Sequence, residues 1–177
     1  MSGIYWNVSG VTYAGNGTAG SALHLLDAPT GLFINANDTL YISDSGNWRV
    51  LAYSPNATYG TIVAGTGVTG TALNRFSINM RYTFVDASDI IYVSDAQNHR
   101  VVRWISGGST GVVVAGNGTV GTSLSQMNFP YGVWVDSNSN IFVVEYYNER
   151  VTKWAPGATT GVVVAGITNS AGKQKDR

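Results

Sequence analysis

The residues best equipped for chemistry in this chain fall into three matched sets: Asp44, Asn47 and Arg49; Asp95, Asn98 and Arg100; Glu145, Asn148 and Arg150. Each set brings a carboxylate, an amide and a guanidinium close together in sequence. A guanidinium fork can bridge a carboxylate or a neighbouring carbonyl, and a short carboxylate accepts turn amides. Asn also tolerates the positive φ of a tight hairpin. Because the set recurs in every unit, it is expected to hold structure rather than to react.

Few other residues are candidates for reactivity. Histidine occurs twice, as His24 and His99, and cysteine is absent, so disulfides and thiolate metal sites are excluded. A zinc site needs several converging ligands, which two histidines do not supply. His99 takes the position of Trp48 and Glu149 within the recurring set and is expected at the surface. Calcium takes carboxylate and amide oxygens, but Asn35, Asp86 and Asp136 recur at equivalent strand ends and read as turn caps. No nucleophile–base pair stands out. No catalytic residue, metal or cofactor is therefore assigned.

The elements that carry these sets repeat. Gly10-Val-Thr-Tyr-Ala14-Gly15 returns as Gly60-Thr-Ile-Val-Ala64-Gly65, Gly111-Val-Val-Val-Ala115-Gly116 and Gly161-Val-Val-Val-Ala165-Gly166. The alanines are 50, 51 and 50 residues apart. Between copies, Leu32-Phe-Ile34, Thr83-Phe-Val85 and Val133-Trp-Val135 precede a polar turn. Leu40-Tyr-Ile42, Ile91-Tyr-Val93 and Ile141-Phe-Val143 follow it, and each leads into a carboxylate–Asn–Arg set. Each unit thus reads as four short strands with no helical period between them. A β-helix needs a shorter repeat, and a sandwich does not repeat its sequence so closely. The pattern predicts an all-β fold, a β-propeller with about three four-stranded antiparallel blades.

Pro29-Thr-Gly31 and Pro130-Tyr-Gly132, the apolar strands ending in a carboxylate, and the Asn-x-Arg triplets together resemble NHL repeats over roughly residues 10–166. The middle unit departs from that pattern, with Met80-Arg-Tyr82 at the opening. The resemblance implies a propeller usually of six blades, and members that include enzymes, nucleic-acid binders, sensors and scaffolds. The chain divides into an N-terminal segment over 1–9, blades over 10–166 in units at about 15–65, 66–116 and 117–166, and a polar tail over 167–177 expected to be disordered. Residues 10–14 are expected to form an outer strand left without a blade of its own, unless Ile4-Tyr-Trp6 supplies part of one. An arc of three blades leaves an apolar face bare at each end. It is expected to be part of a longer propeller, or half of a six-bladed ring closed by a second copy.

Function is expected where the units differ at the channel mouth. There Thr30, Arg81 and Tyr131 are equivalent, as are Ser45-Gly46, Ala96-Gln97 and Tyr146-Tyr147. Thr30, Arg81, Tyr131, Tyr146 and Tyr147 make a candidate ligand-binding lip, aromatic and hydrogen-bonding with one positive charge, suited to a protein, peptide or glycan. Ten basic and ten acidic residues balance, and the scattered cations predict no nucleic-acid binding. No apolar run has the ~20 residues of a membrane helix, and Met1–Trp6 does not read as a secretory leader. Sequons at Asn7, Asn16, Asn37, Asn56 and Asn117 tilt the reading towards an extracellular protein. The leading expectation is a non-catalytic binding or scaffold propeller. The alternative is a fragment of a metal-dependent enzyme resembling the amidating lyases or lactonases of the NHL type.

Overall fold

The computed structural model describes residues 9–166. The expected tail, Ile4-Tyr-Trp6 and the Asn7 sequon lie outside the described residues. Blade 1 comprises β1 (Pro29–Ile34), β2 (Leu40–Asp44), β3 (Arg49–Tyr53) and β4 (Thr61–Gly65). Blade 2 comprises β5 (Met80–Val85), β6 (Ile90–Asp95), β7 (Arg100–Ile105) and β8 (Val112–Ala115). Blade 3 comprises β9 (Pro130–Val135), β10 (Ile141–Glu145), β11 (Arg150–Trp154) and β12 (Val162–Ala165). Each is an antiparallel sheet of four strands paired in chain order.

Alternation along each strand sends successive side chains to opposite faces, and both faces are apolar because each blade packs between neighbours. On β6, Ile91 and Val93 face blade 1, whereas Tyr92 joins the cluster shared with blade 3. The first interblade cluster unites Tyr41, Val50 and Ala64 with Val85, Val102 and Trp104. The second unites Tyr92, Val101 and Ala115 with Val133, Val143 and Trp154. The tryptophans of β7 and β11 thus fill equivalent places between blades.

The hairpins between the first two strands of each blade close alike. Asn35, Asp86 and Asp136 each accept, through Oδ1, the amides two and four residues on. Hydrogen bonding from the Asn140 side chain foremost holds the Asp136 carboxyl below its ordinary range. The innermost strands approach closely at the axis. A Cβ on Gly31 would lie 2.9 Å from the Arg81 carbonyl oxygen, so glycine is required there. Tyr82 replaces that glycine in blade 2 without loss of the strand. Its amide donates to Ser94 Oγ at 2.9 Å, and its ring packs on the second interblade cluster.

Two expectations are corrected. Residues 10–14 form no strand, and Val11 and Tyr13 are exposed. An outer strand pairs with the third strand of its own blade, and residues 10–14 have no such strand preceding them among the described residues. The positive φ of each hairpin belongs not to Asn47, Asn98 or Asn148 but to the following residue, Trp48, His99 or Glu149, at 49–50°. A 3-10 turn occupies Ser45–Asn47, Ala96–Asn98 and Tyr146–Asn148, so the chain reverses one residue later than expected.

The recurring sets lie at these turns and clamp the incoming linker. Arg49 Nε donates to Asp44 Oδ2 at 2.7 Å, and its Nη atoms donate to the carbonyls of Ser21, Ala22 and Leu25. Arg100 does the same with Asp95 and the carbonyls of Thr71, Ala72 and Arg75. Asn47 and Asn98 bridge the carboxylate to the Gly20 and Gly70 carbonyls. Glu145 is longer, and in blade 3 the ion pair moves to Arg150 Nη2 at 3.0 Å while Nε is left without a partner. Breaking such a buried pair from one side leaves the other charge uncompensated. Asp95→Ala is expected to lower unfolding free energy by about 3–5 kcal/mol, measured by urea denaturation; a loss within 0.5 kcal/mol (about the effect of an ordinary surface change) would contradict it.

Candidate functional site

The mouth of the channel is built from the 3-10 turns, the starts of the inner strands and the linkers that reach them. Four of the five residues expected at the lip converge at the joint of blades 2 and 3. The Arg81 guanidinium lies 5.5 Å from the Phe129 ring centre and 5.4 Å from that of Tyr131. Tyr131 and Tyr146 are 6.1 Å apart, Tyr146 and Tyr147 5.0 Å, and Tyr147 and Phe129 5.3 Å, between ring centres. The result is a continuous surface of four rings around one cation. Tyr146 and Tyr147 are 60% and 61% exposed, so their faces and hydroxyls meet solvent.

The fifth residue does not join them. Thr30 Oγ1 donates to the Arg81 carbonyl at 2.7 Å and lies 2.6 Å from Ser45 Oγ. It fastens blade 1 to blade 2 at the axis, and what it positions is the backbone of Arg81.

Two further residues belong to the site. Phe129 precedes Pro130 in the linker and adopts φ 56°, a conformation costly for a bulky side chain. It is held by two backbone hydrogen bonds: its carbonyl accepts from the Tyr146 amide at 3.1 Å, and its amide donates to His99 Nδ1 at 3.3 Å. Asn79 is the second. It accepts from Arg81 Nη2 at 3.3 Å and donates to Gln97 Oε1 at 3.1 Å. The Asn79 carbonyl accepts the Ala96 amide as the Phe129 carbonyl accepts that of Tyr146, so the two occupy equivalent places. The one 51-residue step among the repeated alanines marks an extra linker residue in blade 2.

The lip offers the Arg81 guanidinium, tyrosine hydroxyls, and the amides of Asn79 and Gln97. Ring faces suit the C–H faces of sugars or apolar side chains, and the polar groups fix orientation. The three ion pairs among the described residues are those of the recurring sets, so Arg81 carries a charge that none of them neutralises.

His99 is half-buried rather than at the surface, because its left-handed backbone turns the ring towards the next linker. Burial lowers its pKa below the ordinary 6.5, partly opposed by Asp95. A depressed histidine pKa means that the unfolded chain binds more protons near neutrality, so stability falls as pH drops below about 6.5. Protonation also removes the acceptor for the Phe129 amide. Urea midpoints measured across this range are expected to decline with acidification, and His99→Gln is expected to flatten that part of the curve; an unchanged curve would show that His99 does not titrate with folding.

No family model matches the chain, nor does any curated protein sequence. Solved structures do match its fold. A Bacteroides thetaiotaomicron protein of unknown function superposes with a TM-score of 0.61 at 19% identity, over 81% of this chain and 37% of that one. An auxiliary nutrient binding protein from the same organism gives 0.55 at 14% identity, over 77% and 35%. A Xanthomonas campestris gluconolactonase gives 0.55 at 14% identity, over 77% and 47%. The chain spans less than half the length of each. At such identities the likeness concerns the fold, a β-propeller arc of three blades.

Proposed function

We propose that this chain is a recognition propeller of NHL-type repeats that binds a peptide or glycan at the Arg81–Tyr131–Tyr146–Tyr147 lip without transforming it. The observation that carries this reading is the cluster of exposed rings around Arg81 at one joint only. The equivalent turn residues of blades 1 and 2 are Ser45-Gly46 and Ala96-Gln97, so the repeat does not require the aromatics. Fold likeness to a nutrient binding protein is compatible with it.

Likeness to a gluconolactonase supports a second reading, a metal-dependent enzyme of lyase or lactonase type. Among the described residues no group of three His, Cys, Asp or Glu is placed to hold a metal. Stoichiometric zinc or calcium in the purified protein, by elemental analysis, would favour this second reading over the first.

Binding is to be sought on glycan and peptide arrays, followed by calorimetric titration of the hits. Tyr147→Ala and Arg81→Ala are each expected to weaken binding by about tenfold or more, with unchanged circular dichroism. Affinity is expected to vary little with salt, since one cation is involved. Hits unaffected by both variants would place recognition elsewhere.

An extracellular setting is part of the same reading. Asn16, Asn37, Asn56 and Asn117 are all exposed in their sequons. Chain isolated from its source is expected to lose mass on N-glycosidase digestion; an unchanged mass would remove this support.

A further inference from the structure

The two ends of the arc carry the two halves of a joint that the chain already makes twice. At the first joint, Phe33 and Tyr41 of blade 1 share a buried cluster with Val85, Ile91 and Val93 of blade 2. The equivalents of Val85, Ile91 and Val93 on the outer face of blade 1 are Ile34, Leu40 and Ile42; Leu40 and Ile42 are covered by Ala14 and Leu26. Leu32 and Ile34 are 61% and 57% exposed, whereas Thr83 and Val85 in the same positions are 0% and 2% exposed. The equivalents of Phe33 and Tyr41 on the free face of blade 3 are Trp134 and Phe142. Trp134 is 54% exposed, and an open apolar cleft of about 340 Å³ runs from Phe33 and Phe84 on the inner strands past it to Phe142 and Val144.

One pair of positions shows that the two free faces suit each other. At the first joint Ser43 Oγ and Thr83 Oγ1 are hydrogen-bonded at 2.8 Å, fully buried. At the second, Ser94 faces Val133 and turns its hydroxyl to the Tyr131 carbonyl at 2.6 Å. On the free faces the same positions hold Val144 and Leu32, so both hydroxyls have been replaced by apolar groups. A hydroxyl on the Leu32 side alone would be buried opposite Val144 without a partner, at a cost.

We propose that the free face of blade 3 packs onto the free face of blade 1 of a second copy of this chain, remaking the interblade joint. The matched replacement of both hydroxyls by Leu32 and Val144 favours that occupant. Propellers close with about four to eight blades, and two copies of the three-bladed arc formed by the described residues make six. A head-to-tail contact of this kind ends in a ring when its rotations sum to a full turn. The row of rings on the inner strands, Phe33 to Phe84 at 5.0 Å and Phe84 to Trp134 at 6.3 Å, then continues from Trp134 to Phe33 of the second copy. Ala14 packs beside Leu40, Ile42 and Tyr53, as Ala64 packs at the first joint. In the ring Ala165 of the second copy takes that place, and residues 10–14, which form no strand, give way.

Light scattering after size exclusion, on the full chain at tens of micromolar, is expected to give twice the 18.7 kDa of one copy. Val144→Asp is expected to give a monomer with unchanged β circular dichroism. Leu32→Thr is expected to weaken dimerisation about a hundredfold, tenfold at each of two joints. The double variant Leu32→Thr with Val144→Ser is expected to recover most of that loss, because it recreates the Ser43–Thr83 pair. A monomeric wild type, an open-ended polymer, a dimer indifferent to Val144→Asp, or a double variant no tighter than Leu32→Thr would each overturn the proposal.

Discussion

Each blade depends on one guanidinium that binds the chain entering it. Arg49, Arg100 and Arg150 lie almost wholly buried, each against a carboxylate on one side and linker carbonyls on the other. The linker has no ladder of its own, so the Ser21, Thr71 and Thr122 carbonyls depend on the arginine for the donor they have. A fork of five N–H groups can serve the carboxylate and two or three carbonyls at once, which a lysine ammonium cannot do with fixed geometry. The linker then presents Phe76 and Met127 to the interblade clusters. Polar clamp and apolar core are therefore one construction, with the arginine fixing where the core residue lands.

This construction explains how much could be read from sequence. Four strands per unit, their alternation and their order follow from the period of two and the turn residues, and the blades show them. The partners of the arginine were not legible, because they are backbone carbonyls and carry no residue identity. The left-handed residue was misplaced for a related reason. Asn is the usual occupant of that conformation, but here its amide is needed by the carboxylate and the Gly20, Gly70 or Gly121 carbonyl. The turn passes the positive φ to whatever follows, be it Trp48, His99 or Glu149.

The lip was partly legible for the opposite reason. Departures from a repeat are visible in sequence, and Tyr146-Tyr147 against Ser45-Gly46 is one. Thr30 lies apart from the ring cluster although its position is equivalent to Arg81 and Tyr131, since its short hydroxyl reaches only the neighbouring backbone and Ser45 Oγ. Phe129 escaped notice because a single aromatic before a proline looks like linker packing. Its place against Arg81 and Tyr147 shows otherwise, whereas its positive φ is shared by Ala28 before Pro29.

Blade 3 departs from the repeat in several ways that bear on one another. Glu145 replaces Asp and reaches Thr152 Oγ1 at 2.8 Å, so the ion pair slides along the guanidinium and strands its Nε. The carboxylate in blades 1 and 2 also accepts a linker amide, from Asp27 and Ser77. In blade 3 Thr152 takes that share of the carboxylate. The amides of Tyr146 and Tyr147 donate to the carbonyls of Phe129 and Asn128 there, where blades 1 and 2 each make one such turn-to-linker bond, Gly46 to Asp27 and Ala96 to Asn79. The buried clamp still holds this linker through the Arg150 bonds to the Thr122, Ser123 and Gln126 carbonyls. The exposed turn adds a second backbone bond, and the two tyrosines that provide the turn's bonds are the ones whose rings form the lip. Blade 3 thus ties the candidate lip to the fold by the same backbone bonds that fasten its linker.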